Sequence, residues 1–160
     1  MKHWTRSGAF SKQEITTRVA ESSTHLALVK RILDHIAHHY QGAGAVAVLH
    51  DLPGQIGCTK PPKIGAYRPD VYAIDAPQTQ TIVGEAKTQG DLETEHSHKQ
   101  FATFLRFLAL QSHGVFILGV PWQAKARGLS LLKGIGREVG THSIRIVIVD
   151  DVLMNNPTHD

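Results

Sequence analysis

The sequence predicts an α/β fold in which helices flank a mixed central sheet, and three observations support this class. Segments with helical and with strand-like apolar spacing follow in the order helix, strand, hairpin, helix, strand, helix, strand. Residues 114–120 (GVFILGV) form a nearly continuous apolar run, which is typical of a central strand covered on both faces. Residues 71–83 contain two apolar runs around a turn segment with Pro77, which predicts a β-hairpin.

The composition suits one domain with a hydrophobic core. The chain has 160 residues, of which 41% are hydrophobic and 19% charged. We expect a flexible arm at 1–10, a single domain at 11–152 and a loose tail at 153–160. The net charge of +3 permits nucleic-acid binding without establishing it. Cys58 is the only cysteine, which excludes an intrachain disulfide and a zinc site built from several cysteines.

No targeting or membrane segment is expected. The first ten residues (MKHWTRSGAF) lack the apolar core of a signal peptide, and no apolar run reaches the length of a membrane span. We therefore expect a cytoplasmic protein without membrane contact.

The first helix is predicted from a capping box at 11–14 and from apolar residues that recur every three or four positions up to Tyr40. The polar residues at 22–24 leave two interpretations open, one helix over about 12–40 or a break in the middle. A short apolar run at 45–49 predicts the first strand. A long loop follows at 52–67, where proline and glycine recur.

The second half of the chain predicts two more helices and two more strands. A helix over 96–112 has an apolar stripe formed by Phe101, Phe104, Leu105 and Leu108. After the strand at 114–120, residues 123–140 predict a basic helix that three glycines weaken. Residues 143–149 (SIRIVIV) predict the last strand.

The hairpin has a register that can be worked out from the position of its turn. If the turn centres on 77–78, residues that face each other have numbers that sum to 155. Asp70 then lies opposite Glu85, and Tyr72 lies opposite Val83, with Cβ atoms about 5 Å apart. Lys87 is two residues past Glu85, so the alternation of a strand places it on the same face. The hairpin therefore gathers two carboxylates and one ammonium, while Ile82, Gly84 and Ala86 form a small apolar face suited to packing on a helix.

Such a cluster has a chemical use. Two close carboxylates repel each other unless a cation neutralises them, and Mg²⁺ typically binds through one or two carboxylates with waters. We predict Mg²⁺ or Mn²⁺ as cofactor, held by Asp70, Glu85 and the carbonyl of Ala86. Lys87 would hold the attacking water or a phosphate oxygen. The structural alternative is that Asp70 caps a turn, while Glu85 and Lys87 form a solvated strand face.

At these residues the chain resembles the PD-(D/E)XK nuclease superfamily. Residues 69–70 match the PD element, and 85–87 (EAK) match the (D/E)XK element. Gln100 with Phe104 is similar to the glutamine-plus-aromatic motif of RecB-like members, with Phe in place of the usual Tyr. The resemblance covers roughly residues 20–120. It implies a restriction-endonuclease-like core of order αβββαβ, followed here by a C-terminal helix and strand.

The resemblance also implies an activity and further site residues. It implies a metal-dependent deoxyribonuclease that leaves a 5′-phosphate and a 3′-hydroxyl. Gln100 would assist Lys87. An acidic residue on the first helix would stand near the metal, with Glu21 as the candidate and Glu14 as the alternative. Holliday-junction resolvases share the size and order of elements, which suggests branched DNA as substrate and a homodimer, since two symmetric cuts need two sites. A short restriction-type or exonuclease-like member fits equally well.

Basic residues near the predicted site are candidates for contacts with the DNA backbone. The long loop contributes three of them and the second helix two: Lys60, Lys63, Arg68, Lys99 and Arg106. His35, His38 and His39 have helical spacing for a metal site, but no matching cysteine or carboxylate set accompanies them, so a solvated or DNA-facing cluster is favoured over zinc.

Two functions compete on this sequence. The first is the nuclease, either structure-selective or exonuclease-like, with a protein partner that supplies specificity left open. The second is a DNA-binding or regulatory module of the same fold without catalysis, since function does not follow from fold. DNA binding that weakens with added salt and does not depend on metal would indicate the second function.

Overall fold

The computed structural model describes residues 12–40, 46–53 and 59–152, with side chains of the first helix described from residue 23 onward. A five-stranded mixed sheet lies at its centre, with the strands in chain order from edge to edge. The first three strands are antiparallel neighbours, and the last three run parallel. The strands are β1 (Val46–His50), β2 (Val71–Asp75), β3 (Gln80–Ala86), β4 (His113–Val120) and β5 (Arg145–Asp150).

Three α-helices cover the two faces of this sheet. They are α1 (Lys12–Tyr40), α2 (Glu95–Ala109) and α3 (Lys125–Glu138), and a short 3₁₀ turn at Trp122–Ala124 precedes the last. On one face α1 packs on the sheet through Leu28, Ile32 and Ile36. On the other face α2 and α3 bury a second apolar layer. The predicted α/β class, with a mixed sheet flanked by helices, is confirmed.

The register predicted for the hairpin is confirmed. Tyr72 pairs with Val83 and Val71 pairs with Gly84. The turn between them is held by the carboxylate of Asp75, which accepts hydrogen bonds from the backbone amides of Thr79 at 2.7 Å and Gln80 at 2.9 Å. This short polar turn fixes the register of the hairpin. The register matters because a slip by one residue would exchange the two faces of the hairpin.

The small apolar face of the hairpin packs on α1, as predicted. A Cβ atom added at Gly84 would lie 2.7 Å from Cγ2 of Ile32, and one added at Gly119 would lie 3.1 Å from Cδ1 of the same residue. Both glycines therefore let α1 approach the middle of the sheet. The burial of Ile82 and Ala86 against α1 completes this contact.

Several predicted boundaries needed correction. The first helix runs unbroken through 22–24. The second begins at Glu95 because Thr94 caps it, with its side chain accepting from the amide of Ser97 at 3.1 Å, and it ends at Ala109 rather than 112. The first strand ends one residue later than predicted, at His50, and the third helix spans 125–138 rather than 123–140.

The last strand was predicted over residues 143–149. The structure has β5 at 145–150, where it forms an edge of the sheet. The predicted arm at 1–10 and tail at 153–160 lie outside the described residues. Among the helices of the described ranges, none combines the length and apolar character needed to cross a bilayer.

Candidate active site

The predicted site residues meet at one end of the sheet, where the parallel strands β3 and β4 finish. Asp70 precedes β2, Glu85 lies near the end of β3, and Lys87 follows that strand. The backbone amide of Lys87 donates to the carbonyl of Gly119 in β4 at 2.9 Å. This bond continues the β3–β4 pairing past the strand and holds the Lys87 backbone beside the carboxylates.

Backbone amides on the opposite strand of the hairpin hold each of the two carboxylates in place. The amide of Ala86, next to Glu85, donates to Oδ2 of Asp70 at 2.8 Å. The amide of Asp70 faces Oε2 of Glu85 at 3.3 Å. These reciprocal contacts follow from the hairpin register, which places the two residues opposite each other. The structure thus brings Asp70 and Glu85 together as the arithmetic predicted.

Lys87 and Gln100 close a three-membered polar network with Glu85. Nζ of Lys87 lies 3.0 Å from Oε1 of Glu85 and donates to Oε1 of Gln100 at 2.7 Å. Nε2 of Gln100 donates to the same Glu85 oxygen at 2.8 Å. Glu85 and Gln100 are only 4% and 5% exposed, so water competes little for these bonds.

Burial gives the Glu85 carboxyl unusual electrostatics. Desolvation first, and then the charge of Asp70, raise the pKa of Glu85 to about 7, although the ammonium of Lys87 opposes the change. A carboxyl with this pKa takes up and releases its proton near neutral pH. Strongly shifted carboxyls of this kind concentrate at functional sites.

His25 is a member of the site that the sequence analysis missed. Its Nε2 lies 3.3 Å from Oδ1 of Asp70. The hydrogen bond with Asp70 raises the pKa of His25, against the opposing effect of burial. The resemblance implies a residue near the metal on the first helix, but it points to an acidic one rather than to a histidine. The side chains of Glu14 and Glu21 are not among those that the structure describes, so their assignment stays a prediction.

The three histidines singled out by spacing lie elsewhere on α1. The rings of His35 and His39 have centroids 4.3 Å apart, and those of His38 and His39 are 4.8 Å apart. Burial, together with the charge of His39, lowers the pKa of His35. These residues follow His25 by ten or more positions, about 15 Å along a helix, and are therefore not part of the carboxylate cluster.

Several of the predicted DNA-contacting residues already have partners within the chain. Lys60 pairs with Asp51 at 3.2 Å, and Lys99 pairs with Glu95 at 2.6 Å. The guanidinium of Arg68 donates to the carbonyl of Pro61, so it braces the loop that precedes β2.

Two of the predicted basic residues share a surface depression. Lys99 and Arg106 help to line a cavity of about 420 Å³ beside α2, together with Tyr67 and His98. The remaining basic candidate, Lys63, is exposed on the loop. Glu138 also lines this depression and Lys99 is paired with Glu95, so its lining carries charges of both signs.

The donor set was tested for its fit to a divalent cation. Within the part of the chain that the structure describes, no three His, Cys, Asp or Glu side chains are grouped so as to hold a metal. Mg²⁺, however, commonly takes only one or two carboxylates and completes its shell with water and phosphate oxygens. Asp70 and Glu85 supply hard oxygen donors that neighbouring backbone amides hold close together, and a cation would relieve the mutual repulsion that helps to raise the pKa of Glu85. These residues fit such an ion.

Comparisons with protein-family models, curated proteins and solved structures found no match to this chain.

Proposed function

We propose that this protein is a metal-dependent deoxyribonuclease of the PD-(D/E)XK type, built on a restriction-endonuclease-like core. One observation carries the proposal. Asp70, Glu85, Lys87 and Gln100, which a short motif and a hairpin register singled out, converge in one hydrogen-bonded network. A solvated strand face would leave these side chains exposed, whereas Glu85 and Gln100 are buried.

The carboxylates would hold Mg²⁺ or Mn²⁺, with the Ala86 carbonyl as a further oxygen donor. His25 keeps Asp70 in place from α1 through its Nε2. When bound, the divalent cation supplies positive charge that stabilises the phosphodiester under attack. Because Glu85 is protonated below about pH 7, loading of this site would improve as the pH rises through neutrality.

The hydrogen-bond inventory of Lys87 suggests its role. A lysine ammonium has three N–H donors. Two are directed at Glu85 and Gln100. The third is left for the oxygen of an attacking water or of the scissile phosphate. Gln100 fixes the ammonium in this orientation, so it is a positioning residue in this proposal rather than a direct participant.

In the proposed reaction a water oxygen bonds to phosphorus while the bond from phosphorus to the 3′ oxygen breaks. The 3′ oxygen leaves with a proton as a hydroxyl, and the phosphate stays on the 5′ side. Exposed basic groups on the flanking surfaces would hold the DNA backbone, with Arg68 acting by bracing its loop. Branched DNA, cut by a homodimer or beside a specificity-supplying partner, is the substrate class that we propose.

The test is a cleavage assay on junction, flap, duplex and single-stranded DNA with Mg²⁺, Mn²⁺ or EDTA. Asp70→Asn and Lys87→Ala should each lower the rate by roughly a hundredfold or more, since the first removes a carboxylate that would hold the cation and the second removes the ammonium that would act on the water or phosphate. Lys133→Ala, a surface lysine on α3, is the matched control and should cleave like the wild type. Circular dichroism verifies that each variant is folded.

Two outcomes would overturn the assignment. Metal-dependent cleavage that survives in both purified site variants would place the chemistry elsewhere. Absence of cleavage on every substrate, together with DNA binding that depends on salt and not on metal, would indicate the non-catalytic module instead.

A further inference from the structure

The strand β5 combines the composition of a buried strand with the position of an edge strand. Its sequence is RIVIVD, in which four consecutive β-branched residues, 146–149, are flanked by one charge at each end. The neighbouring β4 is buried along its last seven residues, whereas five of the six residues of β5 are only half-buried and Arg145 is exposed. The β4–β5 pairing occupies one side of β5, and no strand of the described chain pairs with its other side.

Natural sheets usually protect such an edge. The common devices are central charges, prolines, bulges or a covering element, because an open row of backbone groups invites pairing with another chain. None of the four central positions of β5 carries a charge or a proline. Its end is instead held in place by Arg31, which donates to the carbonyls of Asp150 at 3.1 Å and Val152 at 3.2 Å.

An apolar groove runs beside this edge. A cavity of about 580 Å³ between α3 and β5 is lined in part by Trp122, Leu129, Ile146 and Ile148. A second cavity, of about 510 Å³, continues along the strand and shares Leu129 and Ile146 with the first, but it is more polar, with two basic side chains of α3 among its lining residues. Trp122 is 58% exposed at the end of the groove. Exposed apolar surface that continues along a strand edge is typical of an interaction site.

We propose that a second copy of this chain pairs with β5 in antiparallel orientation, which gives a two-fold dimer with a continuous ten-stranded sheet. A two-fold axis perpendicular to the sheet keeps each face on its own side. We call the line along which the two β5 strands pair the seam. Residues that oppose each other across the seam point to the same face, so the two residue numbers of each opposed pair add up to an even number. With a sum of 296, Ile148 lies opposite its own counterpart.

The charges of the edge are complementary in this arrangement. Val147 and Val149 pack on the α1 side of the sheet and Ile146 and Ile148 on the α3 side, so strand alternation places Arg145 on the α1 side. In the register that sums to 296, Arg145 lies opposite Asp151 of the partner subunit. In the adjacent even registers the two residues are diagonal neighbours, which long side chains still bridge. Both residues are exposed in the single chain.

The same symmetry closes the groove. Because the two α3 helices lie on the same face of the joined sheet, the Leu129 side chains of the two copies approach each other over the seam. Together with Ile146 and Ile148, they would form one apolar layer. A two-fold contact uses the same patch on both subunits and therefore stops at two copies, whereas pairing of β5 with the β1 edge of another copy would grow into a filament.

The experiment uses the full chain without DNA or metal, so its result does not depend on the proposed nuclease activity. Sedimentation equilibrium should give twice the chain mass of 17.6 kDa at high concentration. Val147→Lys, which places a charge in the middle of the edge, should give a monomer. Ala47→Lys is the matched control, because it places the same charge on the exposed face of the other edge strand, β1, and should remain dimeric.

Charge exchange tests the register. Arg145→Asp and Asp151→Arg should each raise the dissociation constant at least several-fold, and the double exchange should restore it. Asp151 also accepts a hydrogen bond from the Trp122 amide at 2.9 Å. Asp151→Arg loses that bond in the single variant and in the double variant alike. Restored dimerisation of the double variant would therefore come from the charge pair between the two subunits. Amide hydrogen exchange at 145–150 should slow as the wild type dimerises and should not slow in Val147→Lys.

Three outcomes would overturn the proposal. The first is a monomer at every concentration. The second is a dimer that survives Val147→Lys or that the double exchange does not restore. The third is an assembly that grows beyond two copies and is blocked by Ala47→Lys, which would indicate pairing between the two different edges.

Discussion

The buried carboxyl of Glu85 should give the protein a stability that falls as the pH rises. Burial first, and the charge of Asp70 second, raise the pKa of this group from the ordinary 4.5 to about 7 in the folded chain. A group with a raised pKa binds its proton more tightly in the folded state than in the unfolded state. Its contribution to stability is therefore complete below about pH 4.5 and is lost as the pH rises through about 7.

The size of the effect follows from the same values. The interval from 4.5 to about 7 corresponds to about 3 kcal/mol of unfolding free energy. No discount for solvent screening is needed, because Glu85 is 4% exposed. Lys87 stays close to Glu85, and its opposing effect is already included in the raised value.

Urea unfolding across pH 4 to 8, with EDTA present, measures this effect when the wild type is compared with Glu85→Gln. The stability of the wild type relative to the variant should fall by about 3 kcal/mol over this range, since every other titrating group is common to both. Asp34→Asn, at an exposed position of α1, controls for the change from acid to amide. Parallel pH profiles of the wild type and Glu85→Gln, or a wild type that gains stability relative to the variant, would refute the reasoning.

Three further predictions concern packing, capping and the polar network. Gly84→Ala should cost about 1–3 kcal/mol of unfolding free energy in urea, because the new methyl group would lie 2.7 Å from Cγ2 of Ile32. Gly134→Ala on α3 is the control and should be neutral or stabilising, because nothing lies within 4 Å of the added Cβ. Equal effects of the two substitutions would contradict this explanation. Thr94→Ala should cost about 1 kcal/mol through loss of the α2 N-cap, whereas Thr94→Ser should retain most of it. Gln100→Leu should cost about 1–3 kcal/mol, since it leaves the buried carboxyl of Glu85 and the half-buried ammonium of Lys87 each short of a hydrogen bond; an unchanged midpoint would argue against the network.

Much of the candidate site could be predicted because its core is local. The hairpin has a period of two and a short turn, so the position of Pro77 was enough to place Asp70 opposite Glu85 and Lys87 on the same face. The apolar stripe of α2 likewise followed from helical spacing, and it turns Gln100 towards the carboxylates. In these cases the local backbone geometry determines which side chains meet.

Other features depend on contacts between distant segments. No local pattern relates His25 to Asp70, because their contact requires α1 to cross the sheet at the depth that Gly84 and Gly119 permit. A run of β-branched residues cannot show whether its strand is central or at an edge, so the exposure of β5 appeared only once the strand order was known.

Periodicity within short stretches of backbone was enough to predict the types of most elements, the register of the hairpin and the carboxylate–lysine cluster. The burial of Glu85, the contact of His25 with Asp70 and the edge position of β5 could be seen only in the folded chain. The physical reason is that burial and strand order depend on how separate elements pack, and a carboxyl pKa near 7 exists only after that packing has removed water.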